Sequence, residues 1–334
     1  MKIKFVFIIM FLTFFISNEI YAQDNVTKPL QASQGQGLKK KLVANPIFYN
    51  IFAGEFVGWG IKVPADNYIF VKNTILAFAN KRSSLVASDE ELEDQIWEQL
   101  LLSFEAFRQG IYVEPKELED RITKVLDGYK INFNWKQNRN AYMIWVRDNL
   151  KEPVEVFENQ LRHFIQLDKL RQRVVESIKP EISEDEIRQD FRNENNIIGL
   201  ELVQIEDLKR AQDFYAKMKD PGLWEIKAKD DPNFSQRLGF VAFKYLIDTW
   251  KIPSEDLYRM IKMEDNTIYP PTPIYKGYGV LRILKKKVAD ENDFTKVRDR
   301  YYKNAQIFKK YEGLSAWIQK LKEEAMIRQV WQVS

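Results

Sequence analysis

The stretch Ser88-Asp-Glu-Glu-Leu-Glu-Asp-Gln-Ile-Trp-Glu-Gln-Leu-Leu-Leu-Ser-Phe-Glu-Ala-Phe-Arg-Gln-Gly-Ile-Tyr-Val-Glu-Pro-Lys-Glu-Leu118 decides the fold class. Its first four residues form a capping box, in which the Ser88 hydroxyl accepts a first-turn amide and Glu91 reaches back. Leu92, Ile96, Leu100, Phe104 and Phe107 then recur at helical spacing, which predicts one apolar face. Arg108 and Gly110 supply a basic last turn and a stop. Pro115 opens a second helix carrying Leu118, Ile122 and Val125 as far as Gly128. A chain that punctuates its helices this clearly is building a helical layer.

The layer continues toward the C-terminus. A helix is predicted at 142–150, and a long one after Pro153 with Phe157, Leu161, Phe164, Leu167, Leu170 and Val174 as its stripe. Ser183-Glu-Asp-Glu186 caps another that ends near Asn193. After Asn195 the period changes. Residues 197–205 read as a strand, 208–219 as a helix, 221–233 as a loop, and 238–243 as a short apolar segment. Pro253 starts a helix at 254–262, residues 267–273 hold three prolines, and 278–284 is a final strand. This β-α-loop-β-α-β order describes a compact α/β module. Helical spacing resumes from Asp293 through Val297, Tyr301, Phe308, Leu314, Ile318 and Leu321, with Gly313 as a candidate break, and residues 326–333 are β-prone. Such a tail cannot bury its stripe alone, and the first helical region is the available partner.

Toward the N-terminus, residues 47–60 suggest a strand and turn, and a helix follows near 68–81. Residues 23–44 show no periodicity and read as a leader. Lys2 and Lys4, the apolar run 5–16 and small Ala22 have the order of a cleaved secretory signal, too short to span a membrane. The mature chain is therefore expected outside the cytoplasm, beginning at Gln23. The chain has 334 residues, no cysteine and a formal net charge of +3. An exported chain without disulfides must rely on its cores. Near-neutral, interspersed charge argues against nucleic acid as partner. The 22 Phe, 15 Tyr and 8 Trp are plentiful for so polar a chain and suit apolar binding surfaces.

The inventory also excludes chemistry. There is no thiol, and His163 is the only histidine, placed on the flank of the Pro153 helix. That rules out thiolate metal sites and histidine cages and leaves one residue for any histidine-based triad. Gly54, Gly58 and Gly60 match neither phosphate-binding glycine pattern. No metal and no cofactor is expected.

In this order the elements resemble the SurA-type periplasmic chaperones and their parvulin-domain relatives, the peptidyl-prolyl isomerases. Gln95–Leu102 and Arg108–Leu118 look like that family's chaperone core. Ile197–Lys287 is similar to one parvulin domain, most clearly at Arg237-Leu-Gly-Phe240, Ile252-Pro-Ser-Glu-Asp256 and Gly277-Tyr-Gly-Val-Leu-Arg-Ile283. Leu314-Ser-Ala-Trp-Ile-Gln-Lys-Leu321 resembles the segment that returns to complete the core. The resemblance implies a mainly α fold with an α+β module. Its parts are a signal at 1–22, a leader at 23–44, a helical core at 45–195, a parvulin-like domain at 196–287, and a segment at 288–334 packing on the core.

It also implies the function to expect: a periplasmic, ATP-independent chaperone for unfolded polypeptides, outer-membrane β-barrel precursors in particular. The departures from the family argue against catalysis. Where active parvulins carry histidines, the matching places hold Glu201 and Gly279, and an acidic position survives as Asp230 or Asp231. Trp250 fills one side of the proline pocket, Ser254 stands in place of its Phe, and Phe240 lies in the Leu-Gly motif. Phe240, Trp250 and Ser254 are the candidate client contacts. An active isomerase and a structural subunit of an envelope complex are the alternatives.

Overall fold

A computed structural model describes residues 51–79 and 88–330. The expected signal, the leader and residues 331–333 lie outside them. The chain forms two units, one made of residues up to Lys179 together with those from Lys310, the other Pro180–Lys309. The sequence expectation divided the chain at 195/196 and 287/288 instead.

In the first unit, strands β1 (Phe52–Phe56) and β2 (Ile61–Pro64) precede helices α1 (Ala65–Ala79), α2 (Asp89–Arg108), α3 (Pro115–Gly128), α4 (Arg139–Leu150) and α5 (Val154–Ser177). The caps are those the residues dictate. Ser88 Oγ accepts from the Glu91 amide at 3.2 Å, and the Glu117 carboxylate accepts from the Glu114 amide at 2.7 Å. Asn138 Oδ1 accepts from Ala141 N at 3.0 Å, which starts α4 three residues ahead of the sequence expectation. Leu92, Ile96, Leu100, Leu101 and Leu102 of α2 pack with Leu167, Leu170 and Val174 of α5. A second cluster joins Leu118, Ile122 and Leu126 of α3 to Tyr142 and Val146 of α4 and to Phe157 and Leu161 of α5.

The C-terminal stretch completes this unit. Helix α6 (Glu184–Asn195), strand β3 (Ile197–Ile205) and the rest of the second unit's sheet intervene before one helix runs unbroken over Glu291–Ala325. Leu314, Ile318, Leu321 and Ala325 enter the same cluster as Ile96 and Leu170. Gly313 does not break the helix; a Cβ there would come within 2.9 Å of Ile178 Cδ1, so the position is a close approach. The last strand, Ile327–Gln329, pairs antiparallel with β1, opposite Gly54 to Phe56. The first sheet therefore has β1 at its centre, β2 on one side and this last strand on the other.

In the second unit, β3 is followed by α7 (Leu208–Met218), α8 (Pro221–Asp230), β4 (Gln236–Ala242), α9 (Ser254–Met260), β5 (Ile268–Ile274) and β6 (Gly277–Lys287). We number the long C-terminal helix α10 and the last strand β7. The sheet is antiparallel in the order β4-β3-β6-β5. One face packs Ile198, Leu200 and Leu202 against Leu257 and Met260 of α9. The other packs Val203 and Val280 against Met218 of α7 and Trp224 of α8.

One sequence expectation fails in this unit, and one segment left without an element proves to be a strand. Residues 221–230 are helix α8 rather than loop. Pro221 opens it, Asp220 Oδ1 accepts from Gly222 N at 2.9 Å, and Trp224 is its one buried side chain, too little apolar spacing to read as a helix. The proline-rich segment is strand β5, tolerated because it lies at the sheet edge, where a missing N–H costs no ladder bond. The unit boundaries have a cause as well. Ile187 and Phe191 of α6 share a cluster with Phe294, Tyr301 and Ala305 of α10. Glu291 bridges Arg188 and Arg192, and Glu184 pairs with Arg298. Residues 180–195 and 288–309 thus belong with the β-sheet.

Candidate functional site

In the helical unit, α2 carries its stripe out of the core. Leu100 is buried, Phe104 is half-buried and Phe107 is 66% exposed, so the last member is a surface residue rather than a core one. It stands at the lip of a groove of about 570 Å³ floored and walled by Phe56, Val63, Phe70, Leu100 and Phe104, with Tyr112 at the same lip and 65% exposed. That volume is in the range of ligand clefts. Phe56, Trp59 and Phe104 make mutual ring contacts at centroid distances of 5.7 to 6.5 Å, which fix the wall. Two large exposed aromatic side chains beside an apolar hollow mark a surface that sheds water on binding.

The lip is held in place from α5. Gln166 Nε2 donates to the Ile111 carbonyl at 2.8 Å, Lys169 Nζ to the Tyr112 carbonyl at 2.6 Å, and Arg173 to the Gln109 carbonyl at 3.1 Å. These three side chains lie on one helical face at i, i+3 and i+7, and together they tie down the turn that follows Gly110. His163 lines the groove from the same helix. It is buried rather than on an open helix flank, with Nε2 3.0 Å from Gln99 Oε1 and Nδ1 3.2 Å from Ser103 Oγ. Burial, reinforced by the charge of Arg171, pushes its pKa down to about 4, so it is neutral at ordinary pH. Phe70 packs edge-on to the ring at 5.8 Å.

The residues singled out in the α+β unit do not converge. Glu201 is 2% exposed and points toward α8, accepting from Trp224 Nε1 and Arg237 Nε, both at 2.9 Å. Arg282, its cross-strand partner on β6, lies 3.4 Å away and also binds Glu225 at 2.6 Å. Glu201 is thus the centre of a charge cluster spanning β4, β3 and β6, in which it and Arg282 are buried while Arg237 and Glu225 reach solvent. Gly279 belongs to the opposite face, since a Cβ there would come within 2.7 Å of Leu202 Cδ1 and 3.1 Å of Ile274 Cγ2. Side chains alternate along a strand, so the β3 residues on the Gly279 side are buried Leu200 and Leu202 together with Gln204. From β5, buried Thr272 faces Gly279 and donates to Asp256, which also accepts from the Tyr269 hydroxyl at 2.8 Å.

Asp230 and Asp231 end α8 on the surface, Asp231 capping the Asn233 amide at 2.8 Å. Phe240 is exposed on β4 with Lys285 Nζ 4.4 Å from its ring centre. Trp250 is half-buried against the α9 side of the sheet, and Ser254 is the half-buried first residue of α9. Sequence reading missed the groove. Its walls come from five separated segments, and only the aromatic surplus hinted at it. Among the described residues no three potential metal ligands cluster, and no helix is long and apolar enough to cross a membrane.

A helical unit closed by the chain's own C-terminus, plus one four-stranded antiparallel α+β unit, is a mainly α fold with an α+β module. Solved structures similar to this chain include the peptidylprolyl isomerase PrsA from Bacillus anthracis, at 13% identity and TM-score 0.36, covering 70% of this chain and 96% of that one. Another comes from a study of PEB4 and Cj1289, described as two SurA-like chaperones of Campylobacter jejuni. It is 15% identical with TM-score 0.36, covering 84% of this chain and 100% of that one. The foldase PrsA from Streptococcus pneumoniae is 12% identical with TM-score 0.30, covering 82% and 94%. No protein-family profile matches the chain, and no curated protein does.

Proposed function

We propose that this chain is an ATP-independent holdase that binds unfolded polypeptides outside the cytoplasm, in the periplasm, with outer-membrane β-barrel precursors as clients. The observation that carries the reading is the aromatic groove of the helical unit, with Phe107 and Tyr112 exposed at a lip braced by α5. Barrel precursors expose alternating apolar residues and aromatic girdles while still in water, which suits such a surface. What supports a non-catalytic role for the α+β unit is that the chain's one histidine, His163, lies in the other unit, which leaves Glu201 and Gly279 at the places where the family carries imidazoles. Lowering a rotational barrier near 20 kcal/mol requires a tuned polar network, and the polar groups beside Gly279 are Gln204, Thr272, Asp256 and Tyr269, with no imidazole among them.

The test is light scattering of a barrel protein diluted from urea, with and without this chain. Protection is expected at several-fold excess and should persist in high salt, because apolar contact is screened little. The Phe107→Ser/Tyr112→Ser double variant should lose most of it while folding normally, since both side chains are exposed. Unchanged scattering in the presence of the wild-type chain refutes the reading.

A further inference from the structure

Strand β2 meets the groove in an unusual way. Ile61, Lys62, Val63 and Pro64 all line it. Side chains alternate between the two faces of a strand, so four consecutive lining residues mean that the groove extends from the face that carries Phe56 and Val63 to the strand's outer edge. That edge is open: β2 is outermost in its sheet, and among the described residues its only strand partner is β1. The prolines that block the β5 edge have one counterpart here, Pro64 at the strand's last position. The charge is one-sided as well. Lys62 and Arg162 line the groove, no carboxylate does, and neither cation has an ion-pair partner among the described residues.

We infer that the groove takes an extended polypeptide segment that adds to β2 as a fourth strand, its alternate apolar side chains entering the aromatic hollow and an acidic side chain meeting Lys62 and Arg162. This rests on the holdase reading and names the form of client that the site accepts. Backbone hydrogen bonds to the edge supply affinity without regard to sequence, the hollow selects apolar residues at every second position, and the two cations set direction. A client engaged this way is held in the conformation of a strand, and a helical segment with the same composition is rejected.

The experiment uses the full chain and fluorescence anisotropy with labelled ten-residue peptides. The parent alternates Val or Phe with Ser and carries two Glu at one end. Two versions are N-methylated at alternate residues, one in each register; a third has Lys for Glu; a fourth spaces the apolar residues as in a helix. One N-methyl register should weaken binding at least tenfold and leave the other near the parent. The Lys version should bind several-fold more weakly at low salt, and Lys62→Glu should reverse that preference. Parent-like binding by both N-methylated peptides, or by the helix-spaced one, overturns strand addition. If the scattering assay still shows protection in that case, the holdase reading survives and this inference alone fails. Absence of both peptide binding and protection removes both.

Discussion

Stopping the chain after Lys309 should unfold the helical unit and spare the α+β unit. The truncation removes Leu314, Ile318 and Leu321, each at most 5% exposed, together with β7 and its ladder on β1. Burying one such side chain contributes roughly 1.5–3 kcal/mol, so the three account for about 5–9 kcal/mol. A whole domain's margin is roughly 5–15 kcal/mol. Residues 180–309 keep their own clusters, including Phe191 with Phe294 and Tyr301. Hydrogen exchange read by mass spectrometry separates the units. Amides of α2 and α5 should lose protection, while those of β3 and β6 keep it. The graded version, Leu314→Ala, should cost about 2–5 kcal/mol in urea unfolding of the helical unit alone. Full protection of α2 in the truncated chain would refute the claim that the returning helix completes this core.

Acid should weaken the helical unit through His163. Its folded pKa lies below the ordinary value of 6.5, so between about pH 6.5 and 4 the unfolded chain binds more protons and stability falls as pH drops, by about 3 kcal/mol in all. Urea unfolding of the wild type and of His163→Gln, near pH 7 and near pH 4.5, should show a gap that changes by most of that amount; a constant gap would mean that the ring is not held neutral. In the α+β unit, Glu201→Ala takes the buried acceptor from Trp224 Nε1 and Arg282, which keeps Glu225, and should cost about 1–3 kcal/mol, read as a loss in that unit's melting transition. Glu201→Ala melting like the wild type would show the cluster to be dispensable. A protease-free assay on proline peptides should find no rate above buffer, and a clear rate enhancement would overturn the non-catalytic reading.

Local punctuation determined much of this molecule. The Ser88 and Ser183 caps, the apolar spacing along α5 and the short β-prone apolar run at 197–205 specify elements because each is a contest among neighbours within a few residues, and the structure places them accordingly. Residue inventory, being independent of folding, excluded thiol and histidine-cage chemistry outright. Where an element owes its form to distant partners, local pattern was not enough. Helix α8 buries only Trp224, β5 survives its prolines by lying at an edge, and Gly313 sits inside a helix because Ile178 packs against it. The site belongs to the same class. Period alone placed Phe107 on one helical face with Leu100 and Phe104; only tertiary packing decided where along that face of α2 the core ends. Beyond that point, segments remote in sequence bring β2, α1, α2 and α5 around one hollow, and no spacing rule along the chain encodes that meeting.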